Sequence, residues 1–179
     1  MTGREHREPL PRAHLALGSN LGDKADHLRR AAAAIAALPG TRIAAHSRIY
    51  RTPPWGKTDQ DWFANAVLAV ETTLTPEALL ELCLAIEARL GRERRERWGP
   101  RIIDIDLLTH GTATRATSQL TLPHPALTER AFVLVPLLDV APGLRIRDRS
   151  ISDWLAALDR TGIVPMADFE ASAPPSPET

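Results

Sequence analysis

Residues 65–90 read NAVLAVETTLTPEALLELCLAIEARL, a strand followed by a helix. Asn65–Thr72 is a short apolar run of strand length. Thr75-Pro76-Glu77 starts a helix, with proline at the first helical position, where its missing N–H has no partner to lose. The spacing of Leu79, Leu80, Leu82, Cys83, Ile86 and Leu90 carries that helix to Gly91.

The flanking segments continue the alternation. Upstream, His14–Leu17 is a short strand entering the turn cluster Gly18-Ser19-Asn20. Asp23 can cap a helix through Leu38, ended by Pro39-Gly40. Thr41–Arg51 reads as one strand, stopped by Thr52-Pro53-Pro54. Downstream, Ile102–Thr109 (IIDIDLLT) is another strand. The order β-α-β-β-α-β predicts a ferredoxin-like α+β sheet with helices packed on one face. A short apolar piece near Leu120–Leu122, helical turns around Leu127–Val140 and a helix at Ile151–Leu158, capped by Ser150 or Ser152, complete the chain. One domain over residues 13–168 is expected, between polar, proline-containing tails at 1–12 and 169–179.

Composition narrows the function classes. The 179 residues carry 44% hydrophobic and 25% charged residues with a formal net charge of zero. Nothing global therefore attracts nucleic acid or an anionic membrane, and any affinity for phosphate must be local. Cys83 is the single cysteine, which excludes an intrachain disulfide and a cysteine-rich metal site. The opening MTGREHREPLPR lacks an apolar signal core, and no stretch approaches the ~20 apolar residues of a membrane span. A cytoplasmic monomer is expected.

Chemistry concentrates at EARLGRERRERWGPRIIDIDL, residues 87–107. On a strand, Asp104 and Asp106 share one face while Ile103, Ile105 and Leu107 share the other. Paired carboxylates on an otherwise apolar strand suit Mg²⁺, which takes few protein ligands and fills its octahedron with water and phosphate oxygens. The bland alternative is a solvated sheet edge. Ahead of the pair, six arginines (Arg89, Arg92, Arg94, Arg95, Arg97 and Arg101) lie from Glu87 to Arg101 around Trp98, in a run that Gly91 and Gly99-Pro100 mark as a loop. Guanidinium forks suit phosphate oxygens, although a charge run is more often only a solvated face. Neither G-x-x-x-x-G-K-[ST] nor G-x-G-x-x-G occurs, so any nucleotide would be held by arginines and metal.

Two further stretches matter. Tyr50–Asn65, YRTPPWGKTDQDWFAN, offers Trp55, Trp62 and Phe63 beside the Asn65 amide. Such a group either makes a slot for a flat heterocycle or caps the core under a long loop. Leu122–Phe132, LPHPALTERAF, contains His124 and Arg130, candidate phosphate partners if they are not structural.

The motifs HLALGSNL (14–21), YRTPPWG (50–56), RWGPRIIDIDLL (97–108) and LPHPALTERAF (122–132) resemble, in order, those of the 6-hydroxymethyl-7,8-dihydropterin pyrophosphokinase family. The resemblance implies a ferredoxin-like fold. It also implies attack of the pterin's hydroxymethyl oxygen on the β-phosphorus of Mg-bound ATP, giving the pterin diphosphate and AMP in folate biosynthesis. By that resemblance Asp104 and Asp106 bind two Mg²⁺ ions, and Arg92 and Arg101 steady the transferring group. Glu87, Arg94, Arg97, Arg101, Thr121, His124 and Arg130 contact ATP. Thr52, Pro53, Trp55, Phe63, Asn65, Trp98 and Phe132 hold the pterin, with Phe63 and Phe132 sandwiching it. The segment Glu87–Pro100 is expected to close over ATP.

The chain departs from the family pattern at Phe63, where many members have tyrosine, and at Pro125, Leu84 and Gln119. The arginine segment is one residue shorter than in some relatives. Two rivals stand beside this expectation: a metal-dependent phospho- or nucleotidyltransferase acting on another acceptor, and a non-catalytic ferredoxin-like RNA-binding module. Zero net charge disfavours the second.

Overall fold

A computed structural model describes residues 8–91 and 102–170. β1 (Arg12–Ser19) leads through a turn to α1 (Lys24–Ala36), which Asp23 caps by accepting from the Asp26 N–H at 3.1 Å. The expected second strand is divided into β2 (Thr41–His46) and β3 (Ile49–Thr52). Ser47 lies between them. Its N–H still donates to the Val67 carbonyl at 2.9 Å, but the return bond from the Val67 N–H goes to the Ser47 hydroxyl at 2.9 Å, which in turn donates to the Arg48 carbonyl at 2.6 Å. β4 (Phe63–Thr72) follows, and then α2 (Pro76–Arg89), with Thr75 as N-cap and Pro76 at its start. Gly91, just past that helix, has a φ of +92°, a conformation that glycine adopts without a Cβ clash. β5 (Asp104–His110) completes the predicted βαββαβ core.

The main sheet is six-stranded and antiparallel. Its order is β3-β4-β1-β5, and β2 also pairs with β4, along that strand's C-terminal half. This is the ferredoxin-like arrangement that the element order predicts.

Beyond the core, β6 (Arg115–Ala116) and β7 (Thr121–Leu122) form a small hairpin. A 3₁₀ turn at Leu127–Glu129 precedes α3 (Ala131–Val140). A second hairpin, β8 (Arg145–Ile146) with β9 (Arg149–Ser150), leads to α4 (Ile151–Ala156), which Ser150 caps. Finally β10 (Val164–Ala167) joins the sheet beside β3, a strand beyond the βαββαβ pattern. Pro165 interrupts its pattern, and proline is tolerated there because an edge strand leaves N–H positions unpaired.

Period-2 alternation distributes the core to both sheet faces. Leu15, Leu17, Leu68, Val70, Ile105 and Leu107 pack against α1 and α2, the face on which helices were expected. The opposite face is covered as well: Ala16, Val67, Ala69 and Leu108 pack against α3 and α4. β4 is buried along nearly its whole length because helices lie on both sides of it. Among the described residues no helix is long and apolar enough to cross a membrane.

Candidate active site

The site forms where β1 ends. Gly18 pairs with Asn65 of β4 on one side and with Asp104 of β5 on the other, while Ala16 pairs with Val67 and Asp106. Directly paired residues project from the same face, so Asn65, Asp104 and Asp106 all rise over the small side chains of β1. That face also bounds a cavity of about 420 Å³. A Cβ on Gly18 would lie 2.8 Å from Asn65 Oδ1, so only glycine lets the amide lie across this position. Asn65 Nδ2 donates to Thr52 Oγ1 at 2.7 Å, and Thr52 is fully buried. The amide plane is thereby fixed in the cavity wall.

Asp104 and Asp106 are half-buried and line the cavity, with Ile103, Ile105 and Leu107 turned into the core. Glu87, 2% exposed, reaches across from α2, and its Oε1 accepts from the Ile105 N–H at 2.7 Å. A buried carboxylate thus holds the backbone between the two aspartates. Arg130 Nη1 is 3.8 Å from Asp106 Oδ2. Its guanidinium stacks near two rings, 4.9 Å from that of Trp55 and 5.9 Å from that of Phe132.

His124 is tied to β5 by its own N–H, which donates to the Leu108 carbonyl at 2.9 Å. Its Nδ1 accepts from the Ala126 N–H at 3.2 Å, which leaves the ring proton on Nε2. Burial lowers its pKa to about 4, the Arg130 charge adds to that shift, and Asp104 opposes it. At neutral pH His124 is an uncharged N–H donor, not a cation.

The acceptor-side candidates Thr52, Pro53, Trp55, Phe63, Asn65 and Phe132 all line this cavity. So do the nucleotide-side candidates Glu87, Thr121, His124 and Arg130. Trp55 and Phe132 lie 6.2 Å apart at an interplanar angle of 55°. Trp62, grouped with them on sequence, turns away and packs against the core beneath α1 and α2. Arg92, Arg94, Arg97, Trp98 and Arg101 lie outside the described residues. The far wall, from Leu80 and Leu84 of α2 to Thr117–Leu120 of the β6–β7 hairpin, was only partly foreseen, through Leu84 and Gln119. The spacing of those residues gives no periodic signal that would mark them as one wall.

Among the described residues no group of three or more His, Cys, Asp and Glu side chains is placed to hold a metal by itself. Asp104 and Asp106 nonetheless fit Mg²⁺, which needs only one or two carboxylates when phosphate and water complete its shell.

A model of the 7,8-dihydro-6-hydroxymethylpterin-pyrophosphokinase family matches residues 14–142. The chain is 56% identical over 154 residues to the 2-amino-4-hydroxy-6-hydroxymethyldihydropteridine pyrophosphokinase of Methylorubrum extorquens, covering 86% of this chain and 98% of that protein. It is 43% identical to the enzyme of the same name from Pseudomonas aeruginosa over 155 residues, covering 86% and 96%. Among solved structures, wild-type HPPK-DHPS of Plasmodium falciparum with pteroate superposes with a TM-score of 0.67 at 17% identity. That match covers 84% of this chain but only 43% of the Plasmodium chain, and at such identity the likeness is one of fold.

Proposed function

The chain belongs to the 7,8-dihydro-6-hydroxymethylpterin-pyrophosphokinase family, and we propose that it transfers a pyrophosphoryl group from ATP to 6-hydroxymethyl-7,8-dihydropterin in folate biosynthesis. The hydroxymethyl oxygen forms a bond to the β-phosphorus, the bond from that phosphorus to the α–β bridging oxygen breaks, and AMP leaves. The alcohol's proton passes to solvent or a phosphate oxygen. The observation that carries the reading is the placement of Asn65 and Asp104 on either side of Gly18 in one sheet. Neighbouring strands are about 4.8 Å apart, so the amide wall and the carboxylates stand about 10 Å from one another. A flat acceptor against the amide would project its hydroxymethyl arm toward a phosphate chain held at the carboxylates.

Phe63, Trp55 and Phe132 supply ring surface for the pterin, and Asn65 reads its edge with an amide already oriented by Thr52. Asp104 and Asp106 would hold two Mg²⁺ ions, which would supply positive charge against the polyphosphate. Arg130 and the neutral His124 offer donors from the same side, and Glu87 keeps β5 in place beneath the aspartates. We assign Thr121, Arg92, Arg94, Arg97 and Arg101 to the nucleotide and Trp98 to the pterin from the motif match. No nucleophilic side chain is required, because an alcohol held in line with the β-phosphorus suffices. The unit over residues 13–168 would work as a cytoplasmic monomer on these two small substrates, without nucleic acid or membrane. Incubation with ATP, Mg²⁺ and the hydroxymethylpterin tests the reading. AMP formation that depends on the pterin supports it; ADP as product, or no turnover, rejects it.

A further inference from the structure

We propose that Lys24 is a positioning residue for the acceptor side of the cavity, clamping the Asp61–Trp62 end of the loop that connects β3 to β4. This rests on the reading that the pterin occupies the Thr52–Asn65 side of the cavity. Thr52 and Phe63 pair directly across the two strands, so residues 53–62 leave the sheet and return to the same place. Trp55 near one end of the loop and Phe63 at the other both line the cavity. Whatever fixes the loop therefore fixes both ring surfaces.

Lys24 Nζ lies 3.0 Å from Asp61 Oδ2 and 4.0 Å from the centre of the Trp62 ring. The Arg51 guanidinium, from β3, is 4.9 Å from the same ring. Asp61 Oδ1 also accepts from the Trp62 N–H at 2.8 Å, so the carboxylate binds both the cation and the backbone beside it. The Lys24 hydrogen bond, followed by that backbone N–H, holds the Asp61 carboxyl below its ordinary pKa, and Arg51 adds to the effect.

The position of Lys24 argues for a specific task. It is the first residue of α1, where the positive end of the helix dipole disfavours a cation. Yet its side chain is only 10% exposed, unusual for lysine unless it is paired. Asp61 offsets the unfavourable field, and tryptophan is the best aromatic partner for a cation. An exposed ion pair alone would contribute little; here the Asp61 carboxylate is exposed, but the lysine end is largely covered and shares its cation with the Trp62 ring. A second tie, from Asn20 Nδ2 to Gln60 Oε1 at 3.0 Å, makes loss of Lys24 graded rather than complete.

The test compares Lys24→Met, which keeps the aliphatic stem, with Lys24→Arg, which keeps the charge and the ring contact. Lys24→Met should raise the pterin KM about five- to tenfold while kcat and the ATP KM stay within about twofold. It should also speed amide exchange over residues 53–62 without altering β1, β4 or β5, and Lys24→Arg should restore both properties. Faster exchange with an unchanged pterin KM, equal rises in both KM values, or no change in either overturns the proposal. A wild-type protein that yields no AMP rejects the functional reading instead; exchange over 53–62 together with direct pterin binding then still decides the part of Lys24.

Discussion

Asn65 and Asp104 stand on the same face of the sheet, each directly opposite Gly18, one from β4 and the other from β5. The register of three strands therefore sets the distance between the group proposed to read the pterin and the carboxylate proposed to hold the metal. Loops decorate that spacing but do not create it.

Gly18→Ala tests the relationship at its centre. The added Cβ would meet Asn65 Oδ1 at 2.8 Å, and the amide cannot yield without leaving its bond to Thr52. Pterin affinity should fall about tenfold or more, with a smaller change for ATP, as read by steady-state KM or direct titration. The overpacking should also cost about 1–3 kcal/mol in denaturant unfolding.

Glu87 separates support from chemistry. Glu87→Leu would leave the buried Ile105 N–H without its 2.7 Å acceptor. An orphaned buried donor costs about 1–3 kcal/mol, and β5 should shift beneath Asp104 and Asp106. Both stability and turnover should drop. Glu87→Gln retains an acceptor oxygen and should recover most of the stability in a urea titration.

Asp104→Asn and Asp106→Asn should behave in the opposite way. Both side chains are half-buried and project into the cavity, so their loss leaves packing intact. Turnover should fall by at least about 10²–10³-fold if several kcal/mol of charge stabilisation depends on the bound metal. Thermal melting without ligands should stay near wild type for Asp104→Asn and fall modestly for Asp106→Asn, which loses the carboxylate 3.8 Å from Arg130 Nη1, while Mg²⁺-dependent protection by an ATP analogue disappears in both.

Acid should destabilise the fold through His14. The side chain is 5% exposed, its Nδ1 hydrogen-bonds with Thr109 Oγ1 at 2.7 Å, and burial, assisted by Arg12, lowers its pKa to about 4. The folded state keeps this histidine neutral, whereas the unfolded chain protonates it near pH 6.5. Stability is thus complete above about pH 6.5 and declines toward pH 4, with about 2 kcal/mol lost to this residue by pH 5. Urea midpoints at pH 7 and pH 5 should show the fall, and His14→Asn, which cannot titrate, should flatten it.

The sequence disclosed most of the core because its signals were local. Pro76 after Thr75 marked the start of α2, and Asp23 marked that of α1. The alternation around Asp104 and Asp106 is enough by itself to place both carboxylates on one face. The break at Ser47 was invisible because it depends on a side-chain bond to Val67, distant in sequence. β10 was missed because four residues containing a proline carry no strand period and gain order only beside β3. Trp62 looked like a partner of Trp55, since sequence proximity cannot tell which ring Lys24 and Arg51 will draw away. The cavity's far wall joins α2 to a hairpin about thirty residues later, a juxtaposition made by tertiary packing alone.

The most direct test of the proposed reaction follows the phosphorus atoms. ATP labelled at the β-phosphorus should be incubated with Mg²⁺ and 6-hydroxymethyl-7,8-dihydropterin, and the products separated. Label recovered in the pterin diphosphate, with unlabelled AMP released in equal amount, is the predicted result. Label retained in ADP, with a pterin monophosphate or no pterin product, would contradict it.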